Sequence, residues 1–178
     1  LVAAGTARKD VYAKAVANGK QNIPPPLLDK KQSPFNYSAS PTYGAQTAKV
    51  KIAVFKDFEC PFCARVTAPL KQLVKENKGV VAVVFKHFPL SSQCNPSMGR
   101  DMHPGACQAH YWSMAAHAQG KFDAFSELVF TNMRQMIPRS GDLASKLAAQ
   151  RANLKRYASQ VGMDAAKAEA YVAARKYE

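Results

Sequence analysis

Two apolar runs of strand length, with a helix-patterned segment between them, constrain this chain more than any other feature. Lys49-Val50-Lys51-Ile52-Ala53-Val54-Phe55 and Gly79-Val80-Val81-Ala82-Val83-Val84-Phe85 are rich in β-branched residues. Between them, Cys63, Val66, Thr67, Leu70, Leu73 and Val74 recur at helical spacing. Strand, helix, strand is a βαβ unit, which predicts an α/β fold with two parallel strands. Cys60-Pro61-Phe62-Cys63 stands at the first strand-to-helix turn.

That placement has a physical consequence. The first turn of a helix carries unpaired N–H groups and the positive end of the dipole, and both stabilise a thiolate. Proline suits the first helical position, because its missing N–H had no helical partner. The pattern reads as a thioredoxin-like redox motif, with Cys60 as the exposed attacking thiol and Cys63 as the shielded resolving thiol. Half a zinc site and an inert structural disulfide are the alternatives. Zinc usually needs two further ligands at matching spacing, and no second C-x-x-C occurs.

The chain has 178 residues, enough for one well-cored domain plus an arm. No apolar stretch approaches the roughly 20 residues of a membrane span. The first residue is Leu and no signal-peptide pattern precedes the fold, so the chain is expected to be processed or cut from something longer. The net charge is +13, with no dense Lys/Arg block. The first 51 residues hold eight basic and two acidic side chains. Such a surface favours acidic partners or is simply well solvated; no motif for nucleic acid accompanies it. Four cysteines in two local pairs, Cys60/Cys63 and Cys94/Cys107, suit an oxidising compartment, which in a bacterium is the periplasm.

The organisation expected is an arm over 1–46 and a folded domain over 47–178, itself a βαβ core (47–90) followed by a helical subdomain (91–178). In the arm, residues 1–19 read as a short helix. Residues 21–46 read as a linker without regular structure, with Pro24-Pro25-Pro26 extended. Four helices are predicted after Pro104: Ala106–Gln119 closed by Gly120, Phe122–Met136, one capped by Asp142, and one capped by Asp164 that ends near Tyr177. The buried stripe of the third is read as Leu143, Leu147, Leu154, Ala158 and Val161.

Phe55-Lys56-Asp57-Phe58-Glu59-Cys60-Pro61-Phe62-Cys63, Phe85-Lys86-His87-Phe88-Pro89-Leu90, His103-Pro104-Gly105-Ala106-Cys107 and Gln119-Gly120-Lys121-Phe122 together resemble the DsbA-type thiol-disulfide oxidoreductases, over roughly residues 48–165. These are bacterial extracytoplasmic proteins with a thioredoxin fold and an inserted helical domain. The resemblance implies a redox-active Cys60/Cys63 pair, substrate contacts at Pro61 and Phe62, cysteine-containing protein substrates, a redox-recycling partner and no bound cofactor. The arm resembles, more weakly, the helix and Pro-rich linker between tandem modules of such proteins.

The chain departs from the family twice. Six positions before the first active-site cysteine the family usually has a buried acid, whereas this chain has Val54. Asp57 and Glu59 are near, but alternation along a strand makes neither an obvious substitute. A carboxylate beside Cys60, such as Glu59, also opposes the helix dipole. Nothing after residue 165 resembles the family's cis-proline strand, so the sheet is expected to be completed by a further segment or by a partner subunit.

Cys94 and Cys107 are predicted to form a structural disulfide pinning the intervening loop to the helix at Ala106. Closing about 14 residues is worth ~3 kcal/mol in the chain-entropy model. The rival is zinc held by Cys94, His103, Cys107 and His110. His87 and His117 read as structural, although His87 lies where ligand crevices form in open α/β sheets. Two functions compete with exchange: a structural or binding subunit of a periplasmic assembly, and a carrier of a soft metal ion on Cys60/Cys63.

Overall fold

The computed structural model describes residues 7–10, 17 and 37–174. It divides into two units, 1–35 and 36–178. In the first, Arg8–Asp10 forms a single 3-10 turn. The rest of the expected arm helix and the proline run lie outside the described residues.

The second unit is α/β, as the apolar pattern requires. Its strands are β1 (Thr42–Tyr43), β2 (Val50–Lys56) and β3 (Val81–His87). Its helices are α1 (Pro61–Glu76), α2 (Ala106–Ala118), α3 (Phe122–Thr131), α4 (Met133–Met136), α5 (Leu143–Gln160) and α6 (Ala165–Ala173). Among the described residues the sheet has order β1-β3-β2. β2 and β3 run parallel in register from Val50↔Val81 to Lys56↔His87, with α1 as the crossover. β1 pairs antiparallel with β3 through Thr42↔Val84 and Tyr43↔Val83. This strand lies in the stretch 21–46 read as linker, and its two residues pair with one edge of β3.

The strands differ in burial as their places in the sheet dictate. Val81 to Phe85 of β3 are all buried, whereas β2, an edge strand among the described residues, is only half-buried over Lys51–Val54. The core extends from the sheet into the helices through Phe85, Trp112, Phe122, Phe125, Met136 and Leu154. α2 is buried along most of its length and packs against α3, α5 and α6.

Local signals set most helix ends. Gly120 adopts φ 68° just beyond α2, a left-handed conformation that costs glycine little. Asp142 accepts from Ser145 N at 2.9 Å and Asp164 from Lys167 N at 3.0 Å, capping α5 and α6. α6 runs to Ala173, and Tyr177 lies outside the described residues.

Two readings need correction. The segment Phe122–Met136 is not one helix: it breaks at Asn132, which ends one helix and opens the next, its side-chain amide and its backbone N–H both donating to Leu128 O, at 2.8 and 3.1 Å. The apolar stripes are also narrower than periodicity implied. Val66 and Leu73 of α1 and Leu143 of α5 are exposed, while Thr67 and Gln150 are buried because each finds a hydrogen-bond partner.

Cys94 and Cys107 form a disulfide that ties the loop after β3 to the first turn of α2. The other two groups of the alternative zinc set point elsewhere: His103 Nδ1 lies 3.1 Å from Asp57 Oδ2, and His110 pairs with His87. Replacing both cysteines with alanine is expected to lower stability by about 3 kcal/mol, the chain-entropy value for this loop. Urea unfolding of the double variant checks this.

Candidate active site

The site is built where β2 ends and α1 begins. Phe58 anchors the connecting turn: it is fully buried and packs on Phe85 at 5.5 Å, Phe130 at 4.8 Å and His110 at 5.2 Å between ring centroids. Cys60 is the N-cap of α1 and Pro61 its first residue. Cys60 O accepts from Ala64 N at 3.1 Å, so the first helical turn closes on the cysteine itself. Both Cys60 and Cys63 are free thiols and half-buried. Phe62 between them is 71% exposed, with the Arg65 guanidinium 4.5 Å over its ring. Pro61 and Phe62 thus face outward beside the pair.

The Cys63 thiol is pushed up to about 11, first by burial, then by Cys60 and by the charge of Asp57. The Asp57 amide offsets this in part, donating to Cys63 Sγ at 3.5 Å.

Asp57, 2% exposed, holds the surrounding loops. Its Oδ1 accepts from Glu59 N at 2.6 Å and its Oδ2 from Leu90 N at 2.7 Å, with His103 Nδ1 at 3.1 Å. One carboxylate therefore joins the turn before Cys60, the loop after β3 and the approach to α2. Glu59 behaves differently: burial and the neighbouring Asp57 raise its carboxyl to about 7, opposed by a hydrogen bond from the Gly105 backbone. A Cβ on Gly105 would overlap the Glu59 carboxyl and the Gln150 amide, so a larger residue there would displace both side-chain ends.

Lys56 is the residue that sequence reasoning missed. It is 1% exposed, and its amine donates to Thr67 Oγ1. Its Nζ also lies 5.2 Å from the Phe85 ring centre and 5.0 Å from that of Phe130. Burial lowers its pKa to about 8; the charge of Cys63 raises it and that of Lys71 lowers it further. The available signal was alternation, which puts Lys56 on the same face of β2 as Val54 and Ile52, two residues packed against the core.

The histidines are set apart from the thiols. His87 and His110 share a short contact between their Nδ1 atoms, and Ser113 Oγ lies 3.4 Å from His87 Nε2. Burial pulls His87 down to about 3 and His110 well below its usual range, so both stay neutral. His117 stands edge-on to Phe122 at 6.3 Å.

Comparison with known proteins decides the family. Residues 37–178 match the Thioredoxin family Thioredoxin_4. The chain belongs to this thioredoxin family. Among solved structures, BdbD from Bacillus subtilis superimposes with a TM-score of 0.56 at 16% identity, covering 78% of this chain and 68% of that one. A thioredoxin-like oxidoreductase from Silicibacter pomeroyi gives 0.53 at 22%, covering 78% and 65%. The thiol-disulfide exchange protein alpha-DsbA2 from Wolbachia pipientis gives 0.52 at 15%, covering 94% and 71%. At these identities the likeness is one of fold, and it is the DsbA-type fold. A curated relative, the Na(+)/H(+) antiporter NhaA 1 of Mycolicibacterium gilvum, is 30% identical over 109 residues, which is 61% of this chain and 16% of that protein. The chain thus spans about a sixth of that relative's length. None of the helices among the described residues is long and apolar enough to cross a membrane.

Two outcomes test the site's electrostatics. Asp57→Ala leaves the Leu90 and Glu59 amides without their acceptor and is expected to cost about 3 kcal/mol in urea unfolding. Glu59, raised to about 7, favours the folded state fully below its unfolded value near 4.3, and that contribution is lost as pH rises through 7. Glu59→Gln is therefore expected to unfold at a higher urea concentration than the parent at pH 8, with the advantage shrinking towards pH 5.

Proposed function

We propose that this domain carries out thiol-disulfide exchange on cysteines of extracytoplasmic, periplasmic proteins through Cys60 and Cys63. The observation that carries the reading is the placement of two free, half-buried thiols one turn apart at the start of α1, one at the helix cap and the other one turn inside, with its pKa raised by burial. When the pair is oxidised, a substrate thiolate attacks Cys60, Cys63 leaves with the electron pair, and a second substrate thiol releases the mixed disulfide. In the reducing direction Cys60 attacks a substrate disulfide and Cys63 resolves it. Pro61 and Phe62 supply an outward-facing contact for the chain around the substrate cysteine. A recycling partner restores the oxidation state, and no bound cofactor takes part. Cys94–Cys107 serves as a structural bridge.

A second reading is favoured by one observation. Among the described residues β2 is an edge strand, with Val50 and Phe55 exposed. An edge of this kind pairs readily with another strand. A subunit that binds by completing its sheet, with the thiols incidental, fits that edge. It predicts an association that survives replacement of both Cys60 and Cys63.

Thiol alkylation read by mass, across glutathione potentials from about −100 to −330 mV, separates the readings. Exchange predicts that Cys60/Cys63 opens between roughly −120 and −270 mV while Cys94–Cys107 resists. It also predicts that Cys63→Ser accumulates mixed disulfides and that Cys60→Ser abolishes exchange. A Cys60/Cys63 pair that stays closed across the whole range removes the exchange reading.

A further inference from the structure

We propose that the buried amine of Lys56 is the charge partner of the Cys63 sulfur, stabilising the negative charge that arrives there when the Cys60–Cys63 disulfide is opened. The inference rests on the exchange reading and adds a residue to it.

The geometry begins with α1. Thr67 lies four residues after Cys63, on the same helical face. Its hydroxyl donates to Cys63 O at 2.8 Å, which spends its one proton. The Thr67 oxygen is thereby left as an acceptor, and the Lys56 amine fills that role as donor. The next residue along β2, Asp57, gives its amide to Cys63 Sγ at 3.5 Å. The end of β2 and the second turn of α1 are thus clamped together, with the amine on the Cys63 side of the helix.

The chemistry requires such a group. A thiol held up at about 11 is a poor leaving group, because the sulfur takes the electron pair into a poorly solvated site. Attack by a substrate thiolate breaks the S–S bond, forms the bond from substrate sulfur to Cys60, and puts one negative charge on Cys63. Asp57 opposes that charge. An ammonium beside the sulfur offsets it, and solvent supplies the proton that eventually neutralises the thiolate. No further oxidant or reductant enters: the substrate's two thiols give the two electrons that the pair accepts. Among the described residues Lys56 forms no ion pair with a carboxylate; a buried lysine so placed is costly in a fold, and a recurring anion on the neighbouring sulfur accounts for it.

The packed elements leave few competing groups. From α1, Cys63 and Lys71 are the ionisable side chains whose charges reach the amine. From β3 and α3 the faces presented to it are the rings of Phe85 and Phe130. Along its own strand Asp57 follows, with its carboxylate engaged by Glu59, Leu90 and His103.

The test is the rate at which excess reduced glutathione opens the Cys60–Cys63 disulfide, measured from pH 6 to 9 for the parent chain, Lys56→Met and Thr67→Val. A Cys63 thiol held near 11 is protonated in the resting reduced pair over this range, so the amine acts on the sulfur as it leaves. An opposite charge nearby shifts a thiol by one to three pKa units, and a thiol of lower pKa leaves faster, so Lys56→Met should slow the opening by about fivefold or more. Corrected for the ionisation of glutathione, the parent's rate should fall above pH 8 as the amine loses its proton, a fall that Lys56→Met lacks. Thr67→Val should slow the opening by a smaller factor, and it keeps the test open if Lys56→Met fails to fold. A residue that merely packs would change the melting temperature and leave the opening rate within twofold, and that result overturns the proposal. A parent chain that never equilibrates with glutathione overturns the exchange reading itself, and this one with it.

Discussion

The carboxylate of Asp57 is where three parts of the chain meet: it accepts from amides of the turn into α1 and of the loop leaving β3, and His103 on the approach to α2 lies against it. A buried carboxylate is costly unless hydrogen-bond donors meet it, so each loop is drawn to the same point. The consequence reaches the thiols directly, because the Asp57 amide is itself the donor to Cys63. Phe58 completes the anchoring by placing its ring in the core one residue later. The site thus inherits its rigidity from two consecutive residues, one polar and one aromatic, at the end of a strand.

Around the two thiols lie three ionisable groups from four consecutive positions, each in a different electrostatic condition. Asp57 is buried and fully engaged. Glu59 is held near 7 by burial and by Asp57. Lys56 is held near 8 by burial. The signs matter more than the magnitudes. Both carboxylates make new negative charge on sulfur harder to bear, and the lysine makes it easier. With Glu59 partly neutral at physiological pH, the opposition to the lysine comes mainly from Asp57, whose charge is already spread over its own donors.

Features carried by a local pattern were legible in the sequence. The parallel pair flanking α1, the cysteines at the helix start, the end of α2 at Gly120 and the caps at Asp142 and Asp164 each depend on a few neighbouring residues. Features that depend on a distant partner were not. Gln150 is buried because its amide donates to Gly105 O at 2.9 Å, 45 residues away in sequence. Thr42 and Tyr43 become a strand only because β3 offers them an edge. Lys56 reads as an ordinary solvated lysine until Thr67 and two aromatic rings are seen to enclose it.

The position of Lys56 also gives physical meaning to Val54. Both residues point to the same face of β2, and a chain of the DsbA type usually carries its buried acid at the earlier of the two positions. Here the earlier position is apolar, and the later one, a single pleat nearer the cysteines, is cationic. A carboxylate beneath a thiol pair raises the cost of a thiolate, whereas an ammonium lowers it. The two arrangements therefore bias the same helix turn in opposite directions, even though the backbone, the cysteine spacing and the helix dipole are alike. With the Cys63 thiol held near 11, the charge on that sulfur is transient, and the amine acts on it while it leaves rather than on the resting reduced pair. On this argument the exchange of an acid for a base under α1 sets how fast the disulfide opens rather than how strongly the pair oxidises.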